Sequence, residues 1–560
     1  MEKYIKNEEK DIKIFKIIIA LFPFIIGLFY EFSSYFSGMI LTFFLVYIII
    51  KNKQIRFSIN FSFISLIMVN ILYFTSIFYG IDKGMSFIGF LKFLPTIIFS
   101  MILMQFEKEK IEELLKFIPT SGVFMIFICI LCKPIKGLEE FFYMNKRLGG
   151  FFQYSNTCAL FFLMGVIVIA YNENLCKKDY IQLIILLLGI LLTGSRSVFI
   201  FTLLSFLIIA IFNKKARKGL TIIFSLLILV TLIYVFISKD YSAIGRFLTI
   251  SVNSSTLLGR LLYYKDGLKL ILEKPFGLGY MGYFYMEPKI QTGVYIIRYI
   301  HNDFLQLALD AGILASIFVL ASMAISFFFK NTSKVKRHLI LIIFLGGVFD
   351  FNFQFLIIPF ILIMTLNIHT GNEVIIERKY INIINFSLIA LSITFMYFSI
   401  AFFMTYINKD EIAVKMFSGN TESKTILLAE AKSPEEADKL ADELIKQNKM
   451  SYLAYDAKAL VATVNKDFKS MVYYKEKNLA IRKYWVSEYE DYANLLKRAI
   501  NYYDKQNDEI NKKKYIKKIK EVPKMLEAQK EKTSSLGFKI NDKPIFELSE
   551  ETQNYINNLN

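Results

Sequence analysis

Leu191-Leu192-Thr193-Gly194-Ser195-Arg196-Ser197 interrupts two apolar runs, 180–192 and 197–212, each short for a membrane span. A span needs about 20 mostly apolar residues. A break flanked by such runs reads as an interrupted helix pair lying below the headgroup level, the kind of break that builds sites in membrane proteins. Gly194 permits the turn, Ser195 can cap the next helix, and Arg196 then lies in that helix's first turn. A guanidinium fork beside free backbone N–H groups suits a phosphate or pyrophosphate. The plainer alternative is an interfacial arginine reaching the headgroups.

The pattern around this break repeats outward in both directions. Apolar runs fall near 14–30, 36–50, 57–79, 85–105, 113–132, 156–171, 180–194, 196–212, 219–238, 303–329, 338–349, 352–368 and 380–407. The whole 560-residue chain is 55% hydrophobic and 20% charged, with a mean hydropathy of +0.45. That balance is tilted away from water and excludes disordered, collagenous and disulfide-scaffold classes. The expected fold is therefore an all-α polytopic membrane protein with about 12–14 transmembrane helices. The first run carries Pro23 and is followed by no small-residue cleavage site, unlike a signal peptide.

Short-loop charge sets the orientation. Lys51, Lys53 and Arg56, then Lys177 and Lys178, then Lys214, Lys215, Arg217 and Lys218, and finally Lys330, Lys334, Lys336 and Arg337 fall in alternate loops. With the N-terminus inside, all four loops are cytoplasmic. The intervening short loops, near Glu31–Tyr35, Gly80–Gly84 and Asp350–Asn352, hold only Lys83 as a base. Two longer loops, 133–155 and 239–300, are then extracytoplasmic.

Net charge is +18, but 38 Lys and Arg against 23 Asp and Glu lie in residues 1–408. Bases placed between apolar runs signal topology, so nucleic acid is not an expected partner. Residues 409–560 are polar and helical in pattern, with 28 bases against 25 acids. Ser433-Pro434-Glu435-Glu436 reads as a helix start, followed by apolar residues at helical spacing. The expected division is a transmembrane domain over 1–408 and a soluble, extracytoplasmic helical domain over 409–560. Its helix–turn–helix rhythm resembles one tetratricopeptide-type unit, with no second clear copy.

Two further places carry candidate chemistry on the same face. In the long loop, Leu258-Gly259-Arg260-Leu261-Leu262-Tyr263-Tyr264 leads to Lys274-Pro275-Phe276-Gly277-Leu278-Gly279-Tyr280-Met281-Gly282. Without a βαβ context the glycines read as a backbone turn beside a ligand. Arg260 and Arg246 are candidate anion holders. Next comes Arg298-Tyr299-Ile300-His301-Asn302-Asp303-Phe304-Leu305-Gln306. Asn302 or Asp303 would cap the following helix, placing His301 at its mouth. The dipole there disfavours an imidazolium unless a carboxylate, with Asp303 the candidate, offsets it. A neutral imidazole is what a general base needs. His338 and His369 flank cytoplasmic ends and read as incidental. Cys129, Cys132, Cys158 and Cys176 form no zinc set, and no metal or cofactor is expected.

These pieces, together with Arg147-Leu148-Gly149-Gly150-Phe151-Phe152-Gln153-Tyr154-Ser155-Asn156, fall in one order over residues 145–315. The ordered set resembles the O-antigen ligase/O-antigen polymerase superfamily. One departure is that the aromatic residue usually found as Trp after the loop arginine is Tyr263 or Tyr264 here. The resemblance implies a membrane-embedded glycosyltransferase of ligase or polymerase type. Its donor would be a glycan on undecaprenyl pyrophosphate, and its acceptor a glycan, lipid or protein hydroxyl at the outer face of the cytoplasmic membrane. Arg196 and Arg260 match the pyrophosphate-binding arginines, His301 matches the residue that assists the acceptor, and Arg147, Arg246, Asn302 and Ser195 would support them. No metal is implied. A lipid-linked glycan flippase or other transporter is the competing class, and a midplane cavity would favour it.

Overall fold

The computed structural model describes residues 2–172, 174–212, 225, 229, 255–376 and 378–559. Arg246, the basic loop 214–218, the run 219–238 and the first part of the 239–300 loop lie outside the described residues. The described residues are 75% helical with almost no sheet. Among the described residues, five helical stretches are long and apolar enough to cross a membrane: Glu31–Asn52, Phe61–Tyr79, Lys83–Leu103, Lys108–Cys132 and Lys379–Tyr406. Ser155–Ala170, Arg196–Phe212 and Ile313–Phe328 are shorter apolar helices. Large apolar side chains such as Phe78, Phe386 and Phe328 face outward, as lipid-facing residues do.

In chain order the helices are α1 (Glu2–Leu21), α2 (Glu31–Asn52), α3 (Phe61–Tyr79), α4 (Lys83–Phe93), α5 (Pro95–Leu103), α6 (Lys108–Leu114), α7 (Phe117–Cys132) and α8 (Lys136–Phe142). Then come α9 (Ser155–Ala170), α10 (Lys177–Thr193), α11 (Arg196–Phe212), α12 (Ser255–Glu273), α13 (Gly282–Ile290), α14 (Asp303–Ala311), α15 (Ile313–Phe328), α16 (Lys334–Phe349), α17 (Ile357–Thr365) and α18 (Arg378–Tyr406). Helix α9 is apolar on every side, and every residue in it except Asn156 is buried. A helix hydrophobic all round belongs in the middle of a bundle. Helices α7 and α10 pack around α9, and Gly189 lets α10 approach closely, since a Cβ there would meet Ile126 at 2.3 Å.

Several continuous runs are broken, each for a local reason. The run 14–30 is helical only to Leu21. Two 3₁₀ turns follow, and Ile26, Gly27 and Leu28 all have positive φ. The run 85–105 bends at Leu94-Pro95, where proline removes an N–H and opens α5. The run 303–329 breaks at Gly312, whose φ of +93° is open mainly to glycine. Of 352–368, only Ile357–Thr365 is α-helical, after a 3₁₀ turn at Asn352–Gln354.

Two antiparallel ribbons depart from the all-helical expectation. Strand β1 (Ile55–Ile59) pairs with β4 (Asn372–Ile376), and β2 (Tyr143–Met144) with β3 (Arg147–Leu148). Ile55, Phe57 and Ile59 alternate with Arg56 and Ser58, the period of a strand. Helix α18 lies along α2, and Ser392 and Ser399 donate to the carbonyls of Met39 and Phe32.

After residue 409 the chain continues as α19 (Asp410–Met416), α20 (Thr421–Ala429), α21 (Pro434–Gln447), α22 (Tyr452–Val464), α23 (Phe468–Ile481), α24 (Val486–Lys505), α25 (Glu509–Glu531) and α26 (Glu550–Asn557). Ser433 caps α21 by accepting from the Glu436 N–H, with Pro434 at the first helical position. Ile540 joins the small core that Leu262, Tyr263, Tyr283 and Tyr295 form outside the bundle.

Candidate functional site

Helix α16 ends at Phe349, and Asp350 follows in the turn before α17. Its buried carboxylate gathers four side chains from three separate segments. Oδ1 accepts from the Tyr154 hydroxyl at 2.8 Å and meets His301 Nδ1 at 3.0 Å. Oδ2 accepts from Asn156 Nδ2 at 2.7 Å and stands 3.9 Å from Arg260 Nη2. Burial alone would raise the Asp350 pKa. The hydrogen bond and charge of His301, then the Arg260 charge and the Asn156 bond, outweigh it and hold the group down at about 2. An ionised carboxylate only accepts. In a neutral His301 the proton therefore sits on Nδ1, and Nε2 keeps its lone pair.

The backbone that presents His301 is fixed at both ends. Asn302 caps α14, its Oδ1 accepting from the Phe304 and Leu305 N–H groups at 3.0 and 2.9 Å. Its Nδ2 donates to the Val348 carbonyl at 2.9 Å, tying the cap to the end of α16. His301 itself has φ +52°. Left-handed backbone at a non-glycine residue costs roughly 1–2 kcal/mol. The Tyr264 hydroxyl donates to the His301 carbonyl, and the Tyr263 ring centroid lies 5.9 Å from the imidazole. Both tyrosines of the loop thus hold His301. Asp303 is not the carboxylate beside the imidazole; its Oδ1 accepts from the Phe353 N–H at 2.7 Å.

A second arginine joins through Asn156. Arg147 Nη2 donates to Asn156 Oδ1 at 3.0 Å, and its Nε donates to the Thr193 carbonyl at 2.7 Å. Thr193 is the last residue of α10, and Gly194 closes the helix in the left-handed conformation. Ser195 is buried, its carbonyl accepting from Phe199 N–H at 3.0 Å, and Arg196 is the first residue of α11. The contacts described link Arg147, Asn156, Asp350, Arg260 and His301 directly. They reach Thr193, two residues before Ser195 and three before Arg196. Arg246 is outside the described residues. Among the described residues, no three His, Cys, Asp or Glu side chains are grouped to hold a metal ion.

The glycine string has a structural use. Leu278 and Gly279 donate N–H bonds to the Leu309 and Asp310 carbonyls at 2.7 and 2.9 Å, and Ile313 donates to the Pro275 carbonyl at 2.9 Å. The string thus satisfies backbone groups freed at the Gly312 break. A Cβ on Gly277 would meet the Gly312 nitrogen at 2.6 Å.

A second charged cluster lies beside the first. Lys92 Nζ donates to the Phe29 carbonyl at 2.7 Å and the Tyr280 hydroxyl at 2.9 Å, and stands 3.7 Å from Glu31. Tyr280 donates to Glu31 at 2.7 Å and lies 3.3 Å from the Tyr299 hydroxyl. Arg298, next to Tyr299, pairs with Glu422 of α20. The Phe351 ring lies between the clusters, 5.1 Å from Tyr299 and 5.0 Å from His301.

The sequence motifs contained Tyr154 and Asn156 without a role, and Asp350 only as the end of a short loop. An acid alone between two apolar runs was the available signal.

The class that emerges is a multi-pass helical membrane protein with a buried Asp–His–Arg cluster at one end of its bundle. Residues 181–320, from α10 into α15, match the family model described as O-antigen ligase, which supports the O-antigen ligase/polymerase superfamily. At that level the match supports an O-antigen ligase-like glycan transfer. The matched segment contains Ser195, Arg196, Arg260, His301 and Asn302, while Arg147 and Asp350 lie beyond it. The sequence matches no curated protein.

Proposed function

We propose that this protein moves a glycan from undecaprenyl pyrophosphate to an acceptor hydroxyl at the outer face of the cytoplasmic membrane, as a ligase or polymerase. The observation that carries the reading is the single carboxylate of Asp350, which touches both His301 and Arg260. In this scheme His301 Nε2 takes the proton of the acceptor hydroxyl. The acceptor oxygen forms its bond to the anomeric carbon as the bond from that carbon to the pyrophosphate oxygen breaks. The bonding pair leaves on that oxygen, and Arg260 with Arg196 holds the charge. Asp350 orients the imidazole and stabilises the imidazolium that forms, as a third group does for many bases. Arg147 and Asn302 hold the cluster's frame. Fixed arginine charge supplies what a metal supplies elsewhere.

The short-loop charges support an N-terminus in the cytoplasm and helices α19–α26 outside the cell. The test is transfer by the purified protein from a lipid-pyrophosphate oligosaccharide to candidate glycan, lipid and peptide acceptors. His301→Ala should abolish most turnover with donor binding retained, and Arg260→Ala should weaken donor binding. Full activity in both variants overturns the scheme.

A further inference from the structure

We propose that a cleft walled by Tyr30, Phe141, Tyr154 and Phe351 seats a sugar ring of the acceptor. This rests on the transfer reading above and names the substrate class for one side of that site. The cleft has a volume of about 240 Å³, several times the roughly 30 Å³ share of a water molecule. Glu140 and Gln153 also line it.

Three observations carry the assignment. The first is continuity. The Tyr154 and Phe351 rings lie 4.7 Å apart at a tilt of 36°, Tyr154 donates to Asp350, and Phe351 is the ring edge-on to His301. The cleft and the imidazole therefore share a wall. The second is sidedness. Asp350 divides its contacts, with His301 and Tyr154 on Oδ1 and Asn156 and Arg260 on Oδ2. Tyr154 and Phe351, two walls of the cleft, both donate to Oδ1, the oxygen that meets the base. A ring seated there lies across Phe351 from the imidazole, whose centroid is 5.0 Å from that wall.

The third is chemistry. Aromatic faces pack against the C–H bonds of a pyranose, while its hydroxyl groups need polar partners. The Glu140 carboxylate, the Gln153 amide and the Tyr30 hydroxyl supply them. A prenyl chain is the other apolar occupant to weigh. One wall of the cleft is α8, which carries Lys136, Glu139 and Glu140 and stands in the 133–155 connection instead of a span. Ionised side chains there suit a hydrated sugar better than hydrocarbon.

The experiment has two readouts on the full-length protein in detergent. Saturation-transfer NMR with methyl glycosides of common hexoses and N-acetylhexosamines reads sugar binding without any donor. Transfer at saturating lipid-pyrophosphate oligosaccharide reads the half-saturating acceptor concentration. Phe141→Ala should lower glycoside binding and raise that concentration about tenfold, the scale of one lost aromatic contact. Donor half-saturation should not move. Phe141→Trp, which keeps a ring, and Glu140→Gln, an exposed change, guard against misfolding; the first should restore binding and the second weaken it. Binding lost in Phe141→Ala, in a preparation that transfers nothing, upholds the cleft and removes the transfer reading. Unchanged glycoside binding and unchanged acceptor half-saturation in Phe141→Ala overturn the cleft. So does undecaprenyl phosphate binding that depends on Phe141 where glycoside binding does not.

Discussion

Two charged clusters stand side by side at one end of the bundle, separated by the rings of Phe351 and Tyr299. Around Lys92 the ammonium is fully enclosed, the Glu31 side chain is 7% exposed, and every contact closes on the protein. Around Asp350 the carboxylate is just as buried, but the His301 and Arg260 side chains keep 23% and 16% of their surface. The first cluster is closed around its Lys92–Glu31 centre, with only the Arg298–Glu422 pair at its edge partly exposed. The other buries the anchor and leaves its cations reaching outward. Burial of charge therefore does not mark a site; what marks it is a buried anchor whose partners remain accessible to another molecule.

Variants can break that contrast. The largest effect is expected at the anchor. Asp350→Asn keeps the shape but cannot stabilise an imidazolium, and turnover should fall about 10²–10⁴-fold, the usual loss with a mispositioned base. A near wild-type rate in the transfer assay would return Asp350 to a structural role. Lys92→Met should act on the fold instead. Removing one partner of a buried ion pair costs about 3–5 kcal/mol, because the other charge stays uncompensated. A lowered unfolding midpoint with turnover per folded molecule preserved is expected, and adding Glu31→Leu should recover part of the loss. A stable but inactive Lys92→Met protein would make the closed cluster a site as well.

Arg260→Ala comes next, with donor affinity down about 10–100-fold, the scale of one charged hydrogen bond lost. Arg260→Lys should recover only part, since an ammonium lacks the two-pronged fork. Equilibrium binding of the lipid-pyrophosphate donor measures both. The pH dependence of Asp350 sharpens the contrast further. Its pKa is depressed, so its contribution to stability is complete above the ordinary carboxylate value and is lost as pH falls through about 2. The gap in unfolding midpoint between wild type and Asp350→Asn should be flat from about pH 5 to 7 and close only below about pH 4. The smallest effect belongs to Glu422→Gln. Its pair with Arg298 is partly exposed, and such pairs contribute about 0–1 kcal/mol. Thermal unfolding should barely register it.

The long apolar runs made the bundle legible, because a span announces itself by composition alone. What the runs hid were the interruptions. Nothing in hydropathy separates Phe22–Leu28 from the helix before it, since its 3₁₀ turns are set by packing of Phe152 where a Gly27 side chain would lie. The ribbon of Ile55–Ile59 with Asn372–Ile376 joins segments over 300 positions apart, beyond the reach of any local pattern. At the site, His301 and Asn302 were readable because a cap leaves a local signature. Asp350 was not, because its meaning comes from Tyr154, Asn156, Arg260 and His301, none of which is its neighbour in sequence. The glycine string carried a use that its spacing did not reveal. Its spacing looks like a ligand loop, yet its N–H groups serve the broken helix at Gly312.

The pairing of α2 with α18 bears on biosynthesis. The second helix to leave the ribosome finds its partner only when residues near 400 are made, and the ribbon at the far end of the bundle waits equally long. Until then Tyr35 and Gly38, which meet the rings of Phe398, Phe402 and Phe395 in the finished protein, have no enclosing neighbour on that side. The nascent chain must therefore carry an open seam through most of its insertion, and a chain cut short before α18 would present that seam to membrane quality control.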